Sequence, residues 1–448
     1  MNKKLFPWER LTPYQLIVLG YAFITLSGAF LLSLPISSAK GVCQSFLDAL
    51  FLATSGISTT GLSVVDIGSY YSSFGQIVLM CIFQIGGIGY MTFIVFMMYI
   101  LGVKASIKTS IVAKESLAGT NAELFRRFFL TVLLYTFIFE FSGAVILALF
   151  WMKEYPLGYS AYLGIFHSIS AFCTAGFSIF PDSLMKYQYN ALVNGTIIII
   201  SLAGGIGFFV LKDMNDYIVK KIKKQHPCRL TLHTKIVLIV TSIVILAGAI
   251  VIFLSEAWPN AVSNYEKIIT SLFQAVSAST TDGFNTIDIG KMSMVSLTTI
   301  MFLMFVGASP GSTGGGIKTT TLAMLFIFLY SELRERKSNV FKKEISDRCI
   351  RDAIAVFSCF ILVAFLAIMI LIVTEKASYV QILFETYSAL GNTGLSTGIT
   401  SALSQAGRIV LIITMFIGRV GPLVIAYAIL SKSKQVDFRY PKEDVFVG

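Results

Sequence analysis

The sequence predicts an all-α integral membrane protein: four covalently linked repeats, each a helix, a re-entrant pore half-helix, a glycine loop and a second helix, around one pseudo-fourfold pore with eight spans. Two observations carry that expectation. Of 448 residues, 55% are hydrophobic and only 13% charged, with a mean hydropathy of +0.78, more apolar surface than one soluble core can hide. The strings STTGLS, FCTAGFS, STTDGFN and LGNTGLS place small-residue turns at Gly61, Gly176, Gly283 and Gly394, with spacings of 115, 107 and 111 residues. A unit of roughly 110 residues is therefore written four times.

Runs of about 20 apolar residues mark spans at 14–36, 72–100, 125–152, 188–218, 233–255, 292–330, 352–374 and 405–431. The first follows Lys3 and Lys4 but is longer than the apolar part of a signal peptide, so it is expected to remain as an anchor. Between the members of each pair lie shorter segments at 45–56, 160–173, 266–279 and 380–391. About twelve residues at about 1.5 Å each make a rod of roughly 18 Å, short of a hydrocarbon core of about 30 Å. Such segments must enter and leave on one side. The repeats are expected at 1–118, 119–228, 229–345 and 346–448, the third with a broken second helix and the fourth with a short C-terminal tail.

An even number of spans puts both termini and the three connections between repeats on one face. That face holds 26 of the 35 Lys and Arg residues, which makes it cytoplasmic by the positive-inside rule. The formal charge of +11 is thus a topology signal and not a sign of nucleic-acid binding. The opposite face has seven basic against ten acidic residues, among them Asp48, Asp66 and Glu154, a surplus that would modestly concentrate cations at an outer mouth.

Irregular backbone at membrane depth survives only where protein or a water-filled cavity satisfies its polar groups. Four glycine loops around one axis would line such a cavity with carbonyls. A carbonyl ring that replaces an ion's hydration shell needs positive φ at alternate positions, which glycine takes without steric cost. The half-helices would aim their negative C-terminal ends at the pore centre, again favouring a cation.

These loops, followed by GGIG at 86–89, GGIG at 204–207 and FIGRVGPL at 416–423, resemble the potassium-translocating subunits of the Trk, Ktr and HKT superfamily, most of all the bacterial KtrB/KtrD type. The resemblance covers all four repeats. It implies potassium uptake through a selectivity filter at Gly61, Gly176, Gly283 and Gly394, with Thr60, Ala175, Asp282 and Thr393 supplying further carbonyls. Relatives that favour sodium often carry serine at the first of these glycines, so Gly61 points to potassium. Asp282 departs from the neutral residue expected there; it is expected to face away from the axis and pair locally, the other reading being an added cation site. Also implied are a homodimer of membrane subunits, each with its own pore, and a cytosolic RCK-type ring, KtrA/KtrC-like, that binds adenine nucleotides (ATP/ADP). No cofactor is expected in this chain.

The second helix of the third repeat is interrupted by GASPGSTGGG at 307–316, and it is read as the only inner helix that breaks. Pro310 lacks a backbone donor, and Gly307, Gly311, Gly314, Gly315 and Gly316 cannot sustain a helix. Broken helices at mid-membrane point to ion sites and gates, and the resemblance makes this loop an intramembrane gate. The string Gly311–Gly316, Ile317, Lys318, Thr319 approaches a phosphate-binding loop, but it has one residue too many and no preceding strand. Arg419 is an ionisable residue within a span and needs a partner; it matches the family's arginine and is expected to bond carbonyls of 307–316.

Glu140 is expected to be a buried hydrogen-bonding residue, His167 structural, and Lys318 to reach cytoplasmic water. The six cysteines lack metal or redox spacing and read as packing residues. Catalytic motifs are missing, so the chain is not expected to be an enzyme. The alternative to a channel-like subunit is a symporter in which Glu140 or Asp282 carries a proton or sodium ion with each potassium.

Overall fold

The computed structural model describes residues 12–89 and 122–430. The connection carrying Lys104, Lys108 and Lys114, the inner part of the expected span 72–100, and both termini lie outside the described residues. The helices of more than two turns are α1 (Pro13–Ser33), α2 (Phe46–Ile57), α3 (Ser73–Ile88), α4 (Ala122–Trp151), α5 (Leu157–Phe172), α6 (Ala191–Ile206), α7 (Phe208–Ile222) and α8 (Leu232–Ser255). They continue as α9 (Asn264–Ser279), α10 (Met294–Phe305), α11 (Thr319–Glu332), α12 (Asp347–Thr374), α13 (Tyr379–Gly391), α14 (Gln405–Val420) and α15 (Pro422–Leu430). A two-residue hairpin, Asn339–Val340 against Lys343–Glu344, is the one sheet among the described residues.

Local capping sets the helix starts. Thr12 and Gln15 form a reciprocal capping box on α1, and Ser263 with Glu266 and Ser378 with Gln381 repeat it on α9 and α13. Ser72, Asn190, Thr231, Ser293 and Ser404 cap α3, α6, α8, α10 and α14 with their side chains. Each satisfies an orphan N–H that lipid could not.

Among the described residues four helices are long and apolar enough to cross a membrane, Tyr14–Ser33, Phe129–Trp151, Leu232–Ser255 and Asp347–Thr374, and up to six if each bent pair counts as one. The half-helices α2, α5, α9 and α13 are 12, 16, 16 and 13 residues long, and their C-terminal halves are buried within protein. Polar residues there, Ser55, Thr60, Ser170, Thr281 and Asn392 among them, are buried. They sit where lipid does not reach.

The expectation that only the third repeat breaks its second helix is corrected by two sharp bends. α6 turns into α7 by 100° at Gly207, φ 99°, and α14 into α15 by 94° at Gly421, φ 92°. Hydropathy saw continuous apolar runs at 188–218 and 405–431, because glycine is nearly neutral on such scales while its positive φ ends the helix. α3 stops at Gly89, φ 92°, the same point of the GGIG string.

Packing runs in a cycle. α3 packs on half-helix α5, α6 on α9, α10 on α13, and α14 returns to α2. The chain does not link the last repeat to the first, so contacts must. Arg408 of α14 donates to Asp48 of α2 at 2.5 Å, both about one fifth exposed, and Gln15 of α1 donates to the Ala428 carbonyl of α15 at 3.1 Å. Breaking the half-buried ion pair should cost about 1–2 kcal/mol. Arg408→Gln is expected to lower the thermal midpoint of the detergent-solubilised protein by a few degrees. Adding Asp48→Asn should cost little more, which a double-mutant cycle would read directly.

Candidate functional site

Each half-helix ends in the same hydrogen-bonded wrap. Thr60 N donates to Ser55 O (2.7 Å), Ala175 N to Ser170 O (2.8 Å), Asp282 N to Ser277 O (2.8 Å) and Thr393 N to Ser388 O (2.9 Å). The preceding residue bonds three back, Thr59 to Gly56, Thr174 to Ala171, Thr281 to Ala278 and Asn392 to Ala389. This is a Schellman ending, whose C′ residue must be left-handed. Those residues have φ of 53°, 50°, 59° and 54°, three of them threonine, a strained choice for a β-branched side chain. Sequence reading placed positive φ on the glycines and missed these four.

Two residues on, Gly61, Gly176, Gly283 and Gly394 take φ of 93°, 65°, 86° and 89°. Left-handed geometry thus recurs at alternate positions in all four loops, which turns successive carbonyls to one side. The loops meet in a ring. A Cβ added to Gly61 would lie 2.5 Å from Ala175 O; at Gly176, 2.4 Å from Asp282 O; at Gly283, 2.1 Å from Thr393 O; at Gly394, 2.0 Å from Thr60 O. Thr60, Ala175, Asp282 and Thr393 therefore supply carbonyls against the neighbouring loop's glycine, in cyclic order. A cavity of about 160 Å³ opens on the ring, lined by the four glycines with Ser63, Asp66, Ser178 and Asn285 among others.

Side chains of three half-helices brace the segments that leave Gly176, Gly283 and Gly394. His167 shares a 3.1 Å hydrogen bond with Ser178 and is held by Leu163 O at 2.8 Å, a structural role. Gln274 donates to Thr286 at 3.1 Å, and Glu385 accepts from Ser396 and, at 3.1 Å, from Thr400. Asp282 turns away from the ring and accepts from Ser201 of α6 at 2.5 Å. Its pairing is local. Most outer carboxylates are similarly engaged: Asp48 holds Arg408, Asp288 holds Lys291 at 2.8 Å, and the Lys186 ammonium, 2.5 Å away, keeps the Glu154 carboxyl below the usual carboxylate range. Asp66 is the carboxylate that lines the mouth cavity.

Beneath the ring lies residues 307–316. Ile317 N donates to Phe305 O at 3.2 Å, and a Cβ on Gly307 would lie 2.3 Å from Gly315 O, so the loop is pinched at its neck by Gly307 and Gly316. Gly314 and Gly315 fit under the half-helix ends, where added Cβ atoms would lie 2.4 Å from Thr281 Oγ1 and 2.4 Å from Asn392 Oδ1. Thr59 Oγ1 donates to Thr313 O at 3.1 Å, Thr174 Oγ1 meets Thr313 Oγ1 at 3.1 Å, and Gly315 N donates to Thr281 Oγ1 at 3.2 Å. The strained C′ residues thus reach down to the loop. Pro310 and Gly311 lie to one side, against Gly207 and Phe209.

Two cations hold the loop's carbonyls. Arg419 donates through Nη1 to Thr313 O and through Nη2 to Gly86 O, joining three repeats. Lys318 is half-buried and donates to Gly314 O at 2.8 Å and Gly315 O at 3.3 Å, which corrects the expectation that it reaches cytoplasmic water. Its stem is just long enough to fold back over the glycines that precede it. Glu140 accepts from Gln84 at 2.8 Å, outside the ring and the loop. Cys173 is buried beside it, whereas Cys43, Cys81 and Cys349 are exposed and are not packing residues.

Fold and site define a largely helical membrane protein in which four glycine loops form a carbonyl-lined constriction above a strapped loop. The chain belongs to the TrkH family, described as cation transport protein, whose profile matches residues 11–437. It is 37% identical over 450 residues to Ktr system potassium uptake protein B of Bacillus subtilis, covering 99% of both chains. It is 38% identical to Ktr system potassium uptake protein D of the same organism (98% of both) and 33% to the potassium/sodium uptake protein NtpJ of Enterococcus hirae (98% of both). Its fold matches the crystal structure of the potassium transporter TrkH from Vibrio parahaemolyticus with a TM-score of 0.74 at 21% identity, over 96% of this chain and 87% of that one.

The ring's close approach has a direct consequence. Gly283→Ala places a methyl group against Thr393 O at an unfavourable φ and is expected to abolish cation flux in proteoliposomes. Gly195→Ala, on α6 where a Cβ meets nothing within 4 Å, should leave it unchanged.

Proposed function

We propose that this chain is the membrane subunit of a potassium uptake system, a channel-like pore with a filter at Gly61, Gly176, Gly283 and Gly394 and a gate at 307–316. The observation that carries the reading is the ring of backbone carbonyls directly above a loop whose own carbonyls are held by Arg419 and Lys318. A ring of carbonyls can replace the water around a dehydrated monovalent cation. The loop under it blocks the inner exit, and the two cations fix that position while discouraging tight ion trapping below the ring.

Further parts follow from the Ktr-named relatives, which belong to multi-component systems by name. The four repeats bounded at 118, 228 and 345 surround one pseudo-fourfold axis, with eight crossings and both termini cytoplasmic. Two copies pair in the membrane. A cytosolic nucleotide-binding ring docks on the basic inner face and releases the gate. A symporter reading is less favoured by the geometry, because neither Asp282, which accepts from Ser201, nor Glu140, which accepts from Gln84, lines the cavity.

A reconstituted channel should pass current that reverses at the potassium equilibrium potential whatever the proton or sodium gradient; a shift with either gradient would establish coupling. Deleting residues 310–314 should raise potassium flux without any cytosolic protein, and an unchanged flux would reduce the loop to a kink. Lys318→Met removes one charge-assisted anchor, worth about 1.5–3 kcal/mol. It is expected to raise partner-independent flux by at least tenfold, read as rubidium uptake, while Lys318→Arg stays near wild type.

A further inference from the structure

Loop 307–316 is held from the side by the second repeat through three backbone hydrogen bonds. Ser309 N donates to Gly205 O at 3.0 Å, Thr313 N to Gly204 O at 3.2 Å, and Phe208 N to Gly311 O at 3.0 Å. Gly204 and Gly205 belong to the last turn of α6, and Phe208 is the first residue of α7. The loop is therefore laid along the 100° bend. Contact is close enough that a Cβ on Gly207 would lie 2.7 Å from Pro310 O.

The fourth repeat shows what this bend is without the loop. Gly207 has φ 99°, ψ 143° and Gly421 has φ 92°, ψ 130°, and the bends differ by only a few degrees. After Gly421 comes Pro422, which has no N–H; after Gly207 comes Phe208, whose N–H goes to Gly311 O. The first N–H of a helix has no partner inside that helix, so it is free to bind elsewhere, and proline is well accepted there. One bend spends that donor on the loop, and the other dispenses with it.

The geometry points to the Gly204–Phe208 bend as a lateral catch that positions the gate, with α7 as its handle. This rests on the reading of 307–316 as a gate. Tilting α7 about Gly207 carries the Phe208 N–H away from Gly311 and frees the side of the loop that Arg419 and Lys318 do not hold. α7 is half outside the packed bundle: Phe208 and Val210 are buried, whereas Lys212, Lys220 and Lys221 are exposed and available to be pushed. A gate held by backbone bonds to a neighbouring repeat's helix end can be worked from the cytoplasmic surface without any contact to the pore.

The test exploits the proline that the fourth repeat already carries. Phe208→Leu and Phe208→Pro both lose the ring that packs near Phe172, but only the second loses the N–H. With the full-length chain in proteoliposomes and no cytosolic protein, Phe208→Pro is expected to pass potassium roughly five- to tenfold faster than Phe208→Leu, the loss of one buried hydrogen bond. The potassium-to-sodium ratio and thermal midpoint should match those of Phe208→Leu. Gly207→Ala, which strains the bend and presses on Pro310 O, should raise flux as well, and it decides the matter if the proline variant misfolds. Equal flux in wild type, Phe208→Pro and Gly207→Ala, beside a fast 310–314 deletion, overturns the catch and leaves the gate. A deletion no faster than wild type removes both.

Discussion

The structure depends on four backbones touching. Each ring glycine lies so near the next loop's carbonyl that any Cβ would overlap it, and this contact passes from the loop at Gly61 to that at Gly176, on to Gly283 and Gly394, and back to Gly61. A ring closed in this way fixes the distance across itself, because no loop can retreat without losing its neighbour. The buried half-helices, the polar braces behind the ring and the Arg408–Asp48 pair all serve that closure.

The ring and the loop beneath it are not independent parts. The left-handed residue that ends each half-helix does two things. Its backbone turns the chain into the ring, and its side chain reaches the loop: Thr59 and Thr174 at Thr313, Thr281 at the Gly315 N–H, Asn392 against Gly315. Glycine is the usual residue at such an end, and threonine there carries a conformational strain of order 1–3 kcal/mol. The hydroxyl contact to the loop offsets part of that strain, so the loop's position is recorded in the same residues that shape the ring.

Much of this was legible in the sequence. Glycines at a fixed period, short segments before them and the Gly-rich interruption at 307–316 rest on backbone rules that hold in any context, and the structure places them where those rules put them. Arg419 was legible because an isolated charge in an apolar run must find a partner. The bends at Gly207 and Gly421 were not, because hydropathy averages over a glycine whereas φ does not. Nor was the role of Lys318: whether a lysine at the end of a break snorkels outward or folds back depends on where unpaired carbonyls lie, which is tertiary information. The threonines at 59, 174 and 281 were hidden for a related reason, since propensity argues against them in left-handed geometry and only the loop below explains them.

The loop's bonds divide by what must happen to them if it moves. Those to Lys318, Ser312 and Phe305 lie within the broken helix and can travel with it. Those to Arg419, to Gly204, Gly205 and Phe208, and to Thr59 reach the other three repeats, that to Thr281 reaches the half-helix before the loop, and all of them must be broken. Neutral bonds of this kind contribute about 0.5–1.5 kcal/mol each and the guanidinium bond about 1.5–3. No single one locks the loop, and a change at any of three repeats shifts its equilibrium by roughly an order of magnitude. A loop tied to its neighbours in this way is open to influence from several sides, while the ring above it closes through contacts of its own.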